Sequence, residues 1–164
     1  MVPEYNERIS SNRTEALFLV LTLLSLLLSI WRLNAAGLDM IAMIFLFLCA
    51  FFMFYSLNYR TLRIRLTTEH LELKFGLFTW VVALENVEHC FLDDTSLWRI
   101  GGAGIHFSPI HGRYRAMFNF LEYPRVVIAL KRRMGLVREI AFSTQRPDEV
   151  VGRIRAAASI ITDS

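Results

Sequence analysis

Two long apolar runs separated by a short polar break dominate the first third of the chain. Neither Ala16 to Trp31 nor Met40 to Leu57 contains a charged residue. A helix needs about 20 apolar residues to cross the hydrocarbon core of a bilayer, and Arg32 and Leu33 can extend the first run while the Arg32 guanidinium reaches the interface. The pattern therefore predicts a two-helix transmembrane hairpin over residues 16–57.

The polar break between the runs predicts that the two helices lie side by side. Arg32 to Asp39 contains Asn34 and Gly37, which favour the end of a helix, and the break is short enough for a helical hairpin. Small residues recur on one stripe of each run, and facing small residues let two helices approach closely. The alternative is that any span tolerates a few such residues. The candidate packing residues are Thr22, Ser25 and Ser29 in the first run and Ala42, Cys49 and Ser56 in the second.

The residues before the first apolar run carry mixed charges and Pro3, which is typical of a polar N-terminal tail or a short interfacial helix. A cleaved signal peptide is the alternative interpretation of the first run. However, Glu4, Glu7 and Glu15 stand where such a peptide is basic, and a second apolar run follows. We therefore expect a tail over residues 1–15 that leads into a retained span.

Beyond the second run the hydrophobic period changes from helical to alternating. Leu62, Ile64 and Leu66 alternate with polar residues, and the alternation returns from Leu71 to Phe75, as in half-buried strands. Further strands are predicted at 79–84, 87–92, 105–107, 114–121, 125–131 and 136–143, with a break at Pro109 and an amphipathic helix from Pro147 onwards.

Residues 58–164 are thus expected to form one α+β or all-β domain, in which about seven antiparallel strands are closed by a C-terminal helix. The pattern does not define the strand boundaries between residues 93 and 124. Asp93 and Asp94 precede Thr-Ser in this stretch, and such a pair predicts a solvated turn rather than a cation site.

The charges beside the apolar runs predict the orientation. Arg60, Arg63 and Arg65 follow the second run directly, whereas Arg32 in the break is balanced by Asp39. The positive-inside rule then places the domain in the cytoplasm, and two spans return the N-terminus to the same side. We expect an integral protein of the cell membrane with both termini cytoplasmic. The formal net charge of +3 is low for a nucleic-acid-binding surface, so no nucleic-acid partner is expected.

Residues with catalytic or metal-binding chemistry are scattered. The four histidines show no metal-ligand spacing, and the two cysteines lie in an apolar run and a predicted strand. Gly101 to Gly104 lacks the Lys and Ser/Thr of a phosphate loop. The sequence therefore predicts no enzyme activity, no metal site and no cofactor.

A basic turn is the densest candidate for recognition. Lys131, Arg132 and Arg133 lie at the predicted turn of the last hairpin, and Arg138 follows in the next strand. Each basic residue near an anionic leaflet contributes about 1 kcal/mol, although hairpin turns are also charged merely to stay solvated. The full candidate set for lipid or partner binding is Arg113, Arg115, Lys131, Arg132, Arg133 and Arg138.

The order of segments in the domain resembles a known family. Arg60 to Thr67, Leu71 to Gly76 and Ala83 to Val87 form a strand, a strand ending in Gly and a small-Leu-x-x-Val segment. This order resembles the opening of the bacterial pleckstrin-homology-like (PH-like) membrane proteins. Trp98 to Ile105 and Ser143 to Val150 look like that family's later glycine-containing strand and the entry to its closing helix.

The resemblance covers most of residues 60–158, and the stretch 108–122 departs from it. It implies a PH-like barrel attached to a membrane hairpin, and it implies no shared catalytic residues. Together these observations predict a non-catalytic, membrane-anchored module that binds a protein partner or a second copy of itself at the cytoplasmic face. A sensor of anionic lipid headgroups acting through the basic turn is the alternative. An enzyme with an unrecognised pocket is the third and least favoured hypothesis.

Overall fold

The computed structural model describes residues 4–162, apart from the side chains at positions 97 and 160–162. Two long helices, α1 (Asn12–Ala36) and α2 (Met40–Asn58), follow a first strand, β1 (Tyr5–Ser10). The later strands are β2 (Thr61–Leu66), β3 (His70–Phe75), β4 (Phe78–Ala83), β5 (Val87–Asp93), β6 (Gly104–Ile110), β7 (Arg113–Asn119), β8 (Arg125–Met134) and β9 (Val137–Ser143). A 3-10 turn (Leu84–Asn86) joins β4 to β5, a short helix α3 (Leu97–Ile100) joins β5 to β6, and α4 (Pro147–Thr162) follows β9.

The two predicted apolar helices are confirmed as helices, and each begins at a side-chain cap. The Ser11 hydroxyl accepts a hydrogen bond from the Thr14 amide at 3.0 Å, and the Asp39 carboxylate accepts one from the Ala42 amide at 2.9 Å. Arg32 closes the connection between the helices with an ion pair to Asp39 at 2.6 Å. The short break therefore folds back as a hairpin.

Both helices are long and apolar enough to cross a membrane. Their most apolar 18-residue windows have mean hydropathies of 2.2 and 2.5, and only 17% and 6% of these windows are buried. The core helix of a water-soluble protein would be covered by the rest of the chain. Most of the apolar surface of α1 and α2 is instead uncovered by protein.

The N-terminal segment contains a strand, which corrects the expectation of a tail or an interfacial helix. β1 pairs antiparallel with β2, with Tyr5 opposite Leu66 and Ser10 opposite Thr61. The sequence conceals this strand because a charged residue, Glu7, occupies a buried position of the alternation. Since β1 leads into α1 and β2 follows α2, the segments before and after the hairpin lie at the same end of the two helices.

The strands of the described residues form two sheets and not a single closed barrel of about seven antiparallel strands. The first sheet has the order β1-β2-β3-β4, and the second has the order β5-β8-β9-β7-β6. All neighbours are antiparallel except β7 and β9, which are parallel. The hydrophobic pattern could not predict this arrangement, because alternation marks a strand without naming its neighbours.

The stretch whose boundaries were undefined contains α3 and the hairpin of β6 and β7. β6 continues through Pro109, where the sequence predicts a break. β6 is an edge strand that pairs with β7 alone within residues 4–162, and an edge strand tolerates the missing amide of proline. His111 and Gly112, both with positive φ, make the turn to β7.

The two sheets and α4 share one hydrophobic core. Inward side chains alternate along the strands, as in β2, where Leu62, Ile64 and Leu66 are all fully buried. The predicted amphipathic helix is confirmed as α4, which adds Val150 and Ile154 to the same core. Burial of each such side chain contributes about 1.5–3 kcal/mol. The strands followed by a single closing helix are therefore one folding unit, of which β1 is a part.

Candidate functional site

The basic turn (Lys131, Arg132, Arg133 and Arg138) is exposed and held in a defined position. The Asn86 side-chain amide donates a hydrogen bond to the Arg132 carbonyl at 3.0 Å, and the Asn86 side-chain oxygen accepts one from the Arg132 amide at 2.7 Å. The turn is therefore anchored to the segment between β4 and β5, while its charged side chains face solvent.

The basic turn lies at the end of β8 that is farther from the start of α1. Leu121, in the loop that leads to β8, donates its amide hydrogen to the Thr14 hydroxyl at the start of α1, at 3.2 Å. From Arg125 to Lys131 the strand extends by about 20 Å. The charges of the turn thus lie about 20 Å along β8 from the end of the strand that is near α1.

Arg113 and Arg115 are separated from the basic turn, although the sequence groups them with it. Arg115 is 3% exposed, and its guanidinium donates to the Glu139 carboxylate at 2.7 Å and to Asp93 at 3.2 Å. Arg113 is half exposed and lies 3.4 Å from the same Glu139 carboxylate. The two carboxylates belong to strands β5 and β9. Whether these arginines form ion pairs or face solvent therefore depends on which strands pair.

Asp93 is buried within this ion-pair network and does not lie in a solvated turn, which corrects the sequence prediction. It accepts hydrogen bonds from the Arg125 guanidinium at 2.9 Å and from the Thr95 amide at 3.1 Å. Burial by itself would raise the pKa of Asp93, but the hydrogen bonds from Thr95 and Arg125 and the charge of Arg115 outweigh it, so the pKa lies below the usual 3.8. The ionised carboxylate ties β5 to β7 and β8.

The histidines and cysteines of the described residues are dispersed, apart from His89 and Cys90, which are neighbours in β5. The His106 Nε2 atom lies 2.5 Å from the Ile100 carbonyl oxygen, and burial lowers the pKa of His106 although this hydrogen bond opposes the shift. Burial raises the pKa of the Cys90 thiol to about 12. Within residues 4–162, no three His, Cys, Asp or Glu side chains are grouped so that they could hold a metal ion.

The small residues of α1 and α2 occupy the covered side of each helix. Ser25, Ser29 and Ala42 are buried, and the three other candidates, Thr22, Cys49 and Ser56, are half-buried. The two helices are in mutual contact. This placement favours the packing role, which stays a prediction, because small side chains on the covered side permit a close approach.

A groove of about 620 Å³ lies between β5 and α4. β5 is an edge strand of the second sheet, and within the described residues it pairs with β8 alone. Arg155 of α4 spans the groove and donates to the Cys90 carbonyl at 2.7 Å. The lining residues are Val87, Glu88, His89, Cys90 and Phe91 of β5, Lys131 of β8, and Arg155, Ala158 and Ser159 of α4.

Three large apolar side chains project from the end of the domain that carries the hairpin. Trp98 is 98% exposed, Leu77 is 71% exposed and Phe78 is 55% exposed. The turn that carries Leu77 packs so tightly on the end of α2 that Gly76 leaves no room for a Cβ beside the Asn58 carbonyl. Leu77 and Phe78 therefore lie beside the end of α2. Trp98 lines a cleft with Leu121, whose amide bonds to Thr14 of α1, so it lies near the start of α1.

Sequence reasoning located the basic turn and the small-residue stripes, but it missed the groove, the buried network around Asp93 and the exposed residues beside the hairpin. No local signal in the sequence marks these features. The groove and the network depend on which segments meet, and an exposed Trp cannot be distinguished from a core Trp in a strand-rich sequence. Comparisons of the chain with protein-family models, with curated proteins and with solved structures give no match. The function of the protein is therefore inferred from the surfaces described above.

Proposed function

We propose that this protein is a non-catalytic, membrane-anchored interaction module whose domain binds a protein partner in the groove between β5 and α4. The observation that carries the proposal is the groove itself, which opens beside an edge strand. An extended segment of a partner can add to a sheet edge through main-chain hydrogen bonds while its side chains enter the adjacent pocket. Affinity and specificity then come from different parts of one surface.

The lining of the groove indicates the chemistry of the partner. Lys131 and Arg155 supply positive charge, while Phe91 and Ala158 supply apolar surface. A partner segment that alternates acidic and apolar side chains complements both, since alternate residues of an added strand face opposite sides. Arg155 already bonds to the Cys90 carbonyl, so the partner strand bonds to other main-chain groups of β5.

The membrane anchoring is part of the proposal. The length and apolar surface of α1 and α2 support a hairpin that spans the cell membrane. Arg60, Arg63 and Arg65, which follow α2, support a position of the domain on the cytoplasmic side of that membrane. Two sheets followed by one closing helix support the resemblance to the PH-like membrane proteins. No catalytic step is proposed, because the buried charges of the second sheet are engaged with one another.

Site-specific photocrosslinking in intact membranes tests the groove. A photoreactive phenylalanine analogue at His89, an exposed position of the groove, is expected to form a defined adduct with the partner. The same analogue at Glu69, an exposed position in the turn between β2 and β3, is the matched control and should form none. Adding Ser159→Trp, which fills the groove from α4, should remove the His89 adduct.

The outcomes of the crosslinking separate the possible partners. An adduct with twice the mass of the chain would identify a second copy as the partner, and a heavier or lighter adduct would identify another protein. The proposal is wrong if the His89 probe gives no adduct, or if the Glu69 probe gives the same one. A thermal unfolding curve of Ser159→Trp that matches the wild type excludes misfolding as the cause of its effect.

A sensor of anionic lipids that acts through the basic turn is the alternative function. The exposure of its four charges supports it, but its distance along β8 from the start of α1 does not favour contact with the protein's own bilayer. Replacing Lys131, Arg132, Arg133 and Arg138 with Gln and measuring vesicle binding tests it. The full chain is required, because a fragment that begins after α2 would lack β1.

A further inference from the structure

A row of three cations crosses the outward face of the first sheet. Arg8 of β1 lies opposite Arg63 of β2, and Arg63 lies opposite Lys74 of β3. Directly opposed residues have Cβ atoms about 5 Å apart on one face of the sheet. All three side chains are exposed, and we name this set the basic row (Arg8, Arg63 and Lys74).

No carboxylate of the described residues forms an ion pair with the basic row. The next outward row along the same strands is different, because Arg65 lies opposite Glu72 and pairs with Glu4 at 2.6 Å. Like charges that lie directly opposite one another destabilise a sheet. The positive charge of this face is therefore concentrated in one row, and an external anion would relieve its repulsion.

The basic row lines a cleft of about 320 Å³ at the exit of α2. The remaining lining residues are Leu57, Asn58, Arg60, Thr61 and Gly76. Arg60 is already paired with Glu15 of α1 at 2.6 Å, so the unbalanced charge of the cleft comes from the basic row. The cationic side chains of the cleft are complementary to the phosphate of a lipid headgroup, and the apolar Leu57 at its edge is complementary to the start of the acyl chains.

The basic row is the charged outward row nearest the hairpin, one row beyond the uncharged outward pair of Ser10 and Thr61. Arg63 follows the first residue of β2 by two positions, and Arg8 precedes the last residue of β1 by two positions. Two strand residues extend about 7 Å, so the basic row lies about that far from the strand ends that join the hairpin. This distance is shorter than the Debye length of about 8 Å at physiological salt, so salt does not fully screen the row from charges at the membrane surface. The charges therefore lie at headgroup depth if the hairpin crosses a bilayer.

We propose that the cleft of the basic row binds the phosphate-bearing headgroup of an anionic phospholipid. This inference rests on the membrane anchoring proposed above and is independent of the partner groove. The bound headgroup neutralises the repulsion between Arg8, Arg63 and Lys74, and it fixes the orientation of the first sheet relative to the bilayer. The ligand belongs to the bilayer that holds the hairpin.

Native mass spectrometry of the purified full-length protein tests the site. The protein in a neutral detergent is offered phosphatidylglycerol and phosphatidylcholine with identical acyl chains, and retained lipid is counted. The basic-row variant Arg8→Gln, Arg63→Gln, Lys74→Gln should lose the preference for phosphatidylglycerol by on the order of tenfold or more. The matched control Lys131→Gln, Arg132→Gln, Arg133→Gln removes the same charge from the basic turn and should keep the preference.

Three results would overturn the inference. The first is a basic-row variant that keeps the lipid preference, and the second is a basic-turn variant that loses the preference equally. The third is displacement of phosphatidylglycerol by inorganic phosphate at the same concentration as the lipid, which would indicate a site for free anions. The basic-row variant should unfold at the wild-type temperature or higher, because like-charge repulsion is removed. Release of the wild-type protein from membranes by alkaline carbonate would instead refute the anchoring, separately from the lipid preference.

Discussion

A network of buried charges links strands β5, β7, β8 and β9 of the second sheet. Arg115 contacts Glu139 and Asp93, and Arg125 contacts Asp93 from β8. Each of these side chains is removed from water, so each depends on its partner for compensation. This network differs from the exposed charges of the basic turn and the basic row, which remain solvated.

We expect Arg115→Gln to destabilise the domain by about 3 kcal/mol, because the buried Glu139 carboxylate keeps only the half-exposed Arg113 as a cation, whereas Asp93 keeps Arg125. Thermal and chemical unfolding of the full-length protein in detergent measures the effect. Arg113→Gln is the matched control on the same strand. Arg113 is half exposed, so its loss should cost less than about 1 kcal/mol. Equal effects of the two substitutions would show that the buried pairs do not stabilise the sheet.

At the scale of elements, β1 connects the hairpin to the domain. Its residues Tyr5 and Ile9 belong to the shared core, and the Glu7 carboxylate accepts hydrogen bonds from the Tyr5 hydroxyl at 2.9 Å and from the Thr144 hydroxyl at 2.6 Å. The N-terminal strand is thus bonded both to β2 and to the segment that leads into α4.

We expect Ile9→Ala to destabilise the domain by about 2–5 kcal/mol, because it removes a fully buried side chain and leaves a cavity. Asn6→Ala, at an exposed position of the same strand, should change the unfolding free energy by less than about 0.5 kcal/mol. Denaturant unfolding followed by tryptophan emission measures both. If Ile9→Ala behaves like Asn6→Ala, the N-terminal residues are a tail after all.

The contact between α1 and α2 can be tested by adding volume to one side of a helix. Ala42 is buried and Ala50, in the same helix, is exposed. Ala42→Leu should destabilise the hairpin by about 1–3 kcal/mol through overpacking, whereas Ala50→Leu should be neutral. The temperature at which helical circular dichroism is lost in detergent compares them. A neutral Ala42→Leu would argue against close packing at the small-residue stripe.

At the scale of the whole molecule, the domain has little freedom to move relative to the hairpin. Both chain segments between hairpin and sheet are short, since α1 begins at Asn12 after β1 ends at Ser10, and β2 begins at Thr61 after α2 ends at Asn58. The end of the domain beside the helices presents the exposed side chains of Trp98 and Leu77. One end of the domain is therefore expected to rest on the bilayer.

We expect Trp98 to lie in the membrane interface, where indole rings are favoured. In vesicles whose lipids are brominated near the headgroup, the wild-type protein should lose more tryptophan emission than Trp98→Phe does. Trp80→Phe, which removes a half-buried indole of β4, is the control. Its tryptophan emission should still be quenched by the brominated lipids, because Trp98 is retained. If Trp98→Phe leaves the quenching unchanged, the proposed seating of the domain is wrong.

The local elements follow from residues that are neighbours along the chain. Two uncharged apolar runs, the alternation in β2 and β3 and the apolar stripe of α4 are properties of composition and period, so the sequence sufficed to predict them. The basic turn is also local, and its exposure agrees with its position at a hairpin tip. The candidate surfaces that depend on one segment could therefore be proposed in advance.

Tertiary structure decided everything that depends on which segments meet. Glu7 meets Thr144, Asp93 meets Arg115 and Arg125, and Arg8 meets Arg63 only because distant strands pair in one register. Coulomb and hydrogen-bond energies depend on distance in space, and one sequence pattern allows many pairings. Hence the same type of residue, arginine, is buried in β7, solvated in the basic turn and unbalanced beside the hairpin.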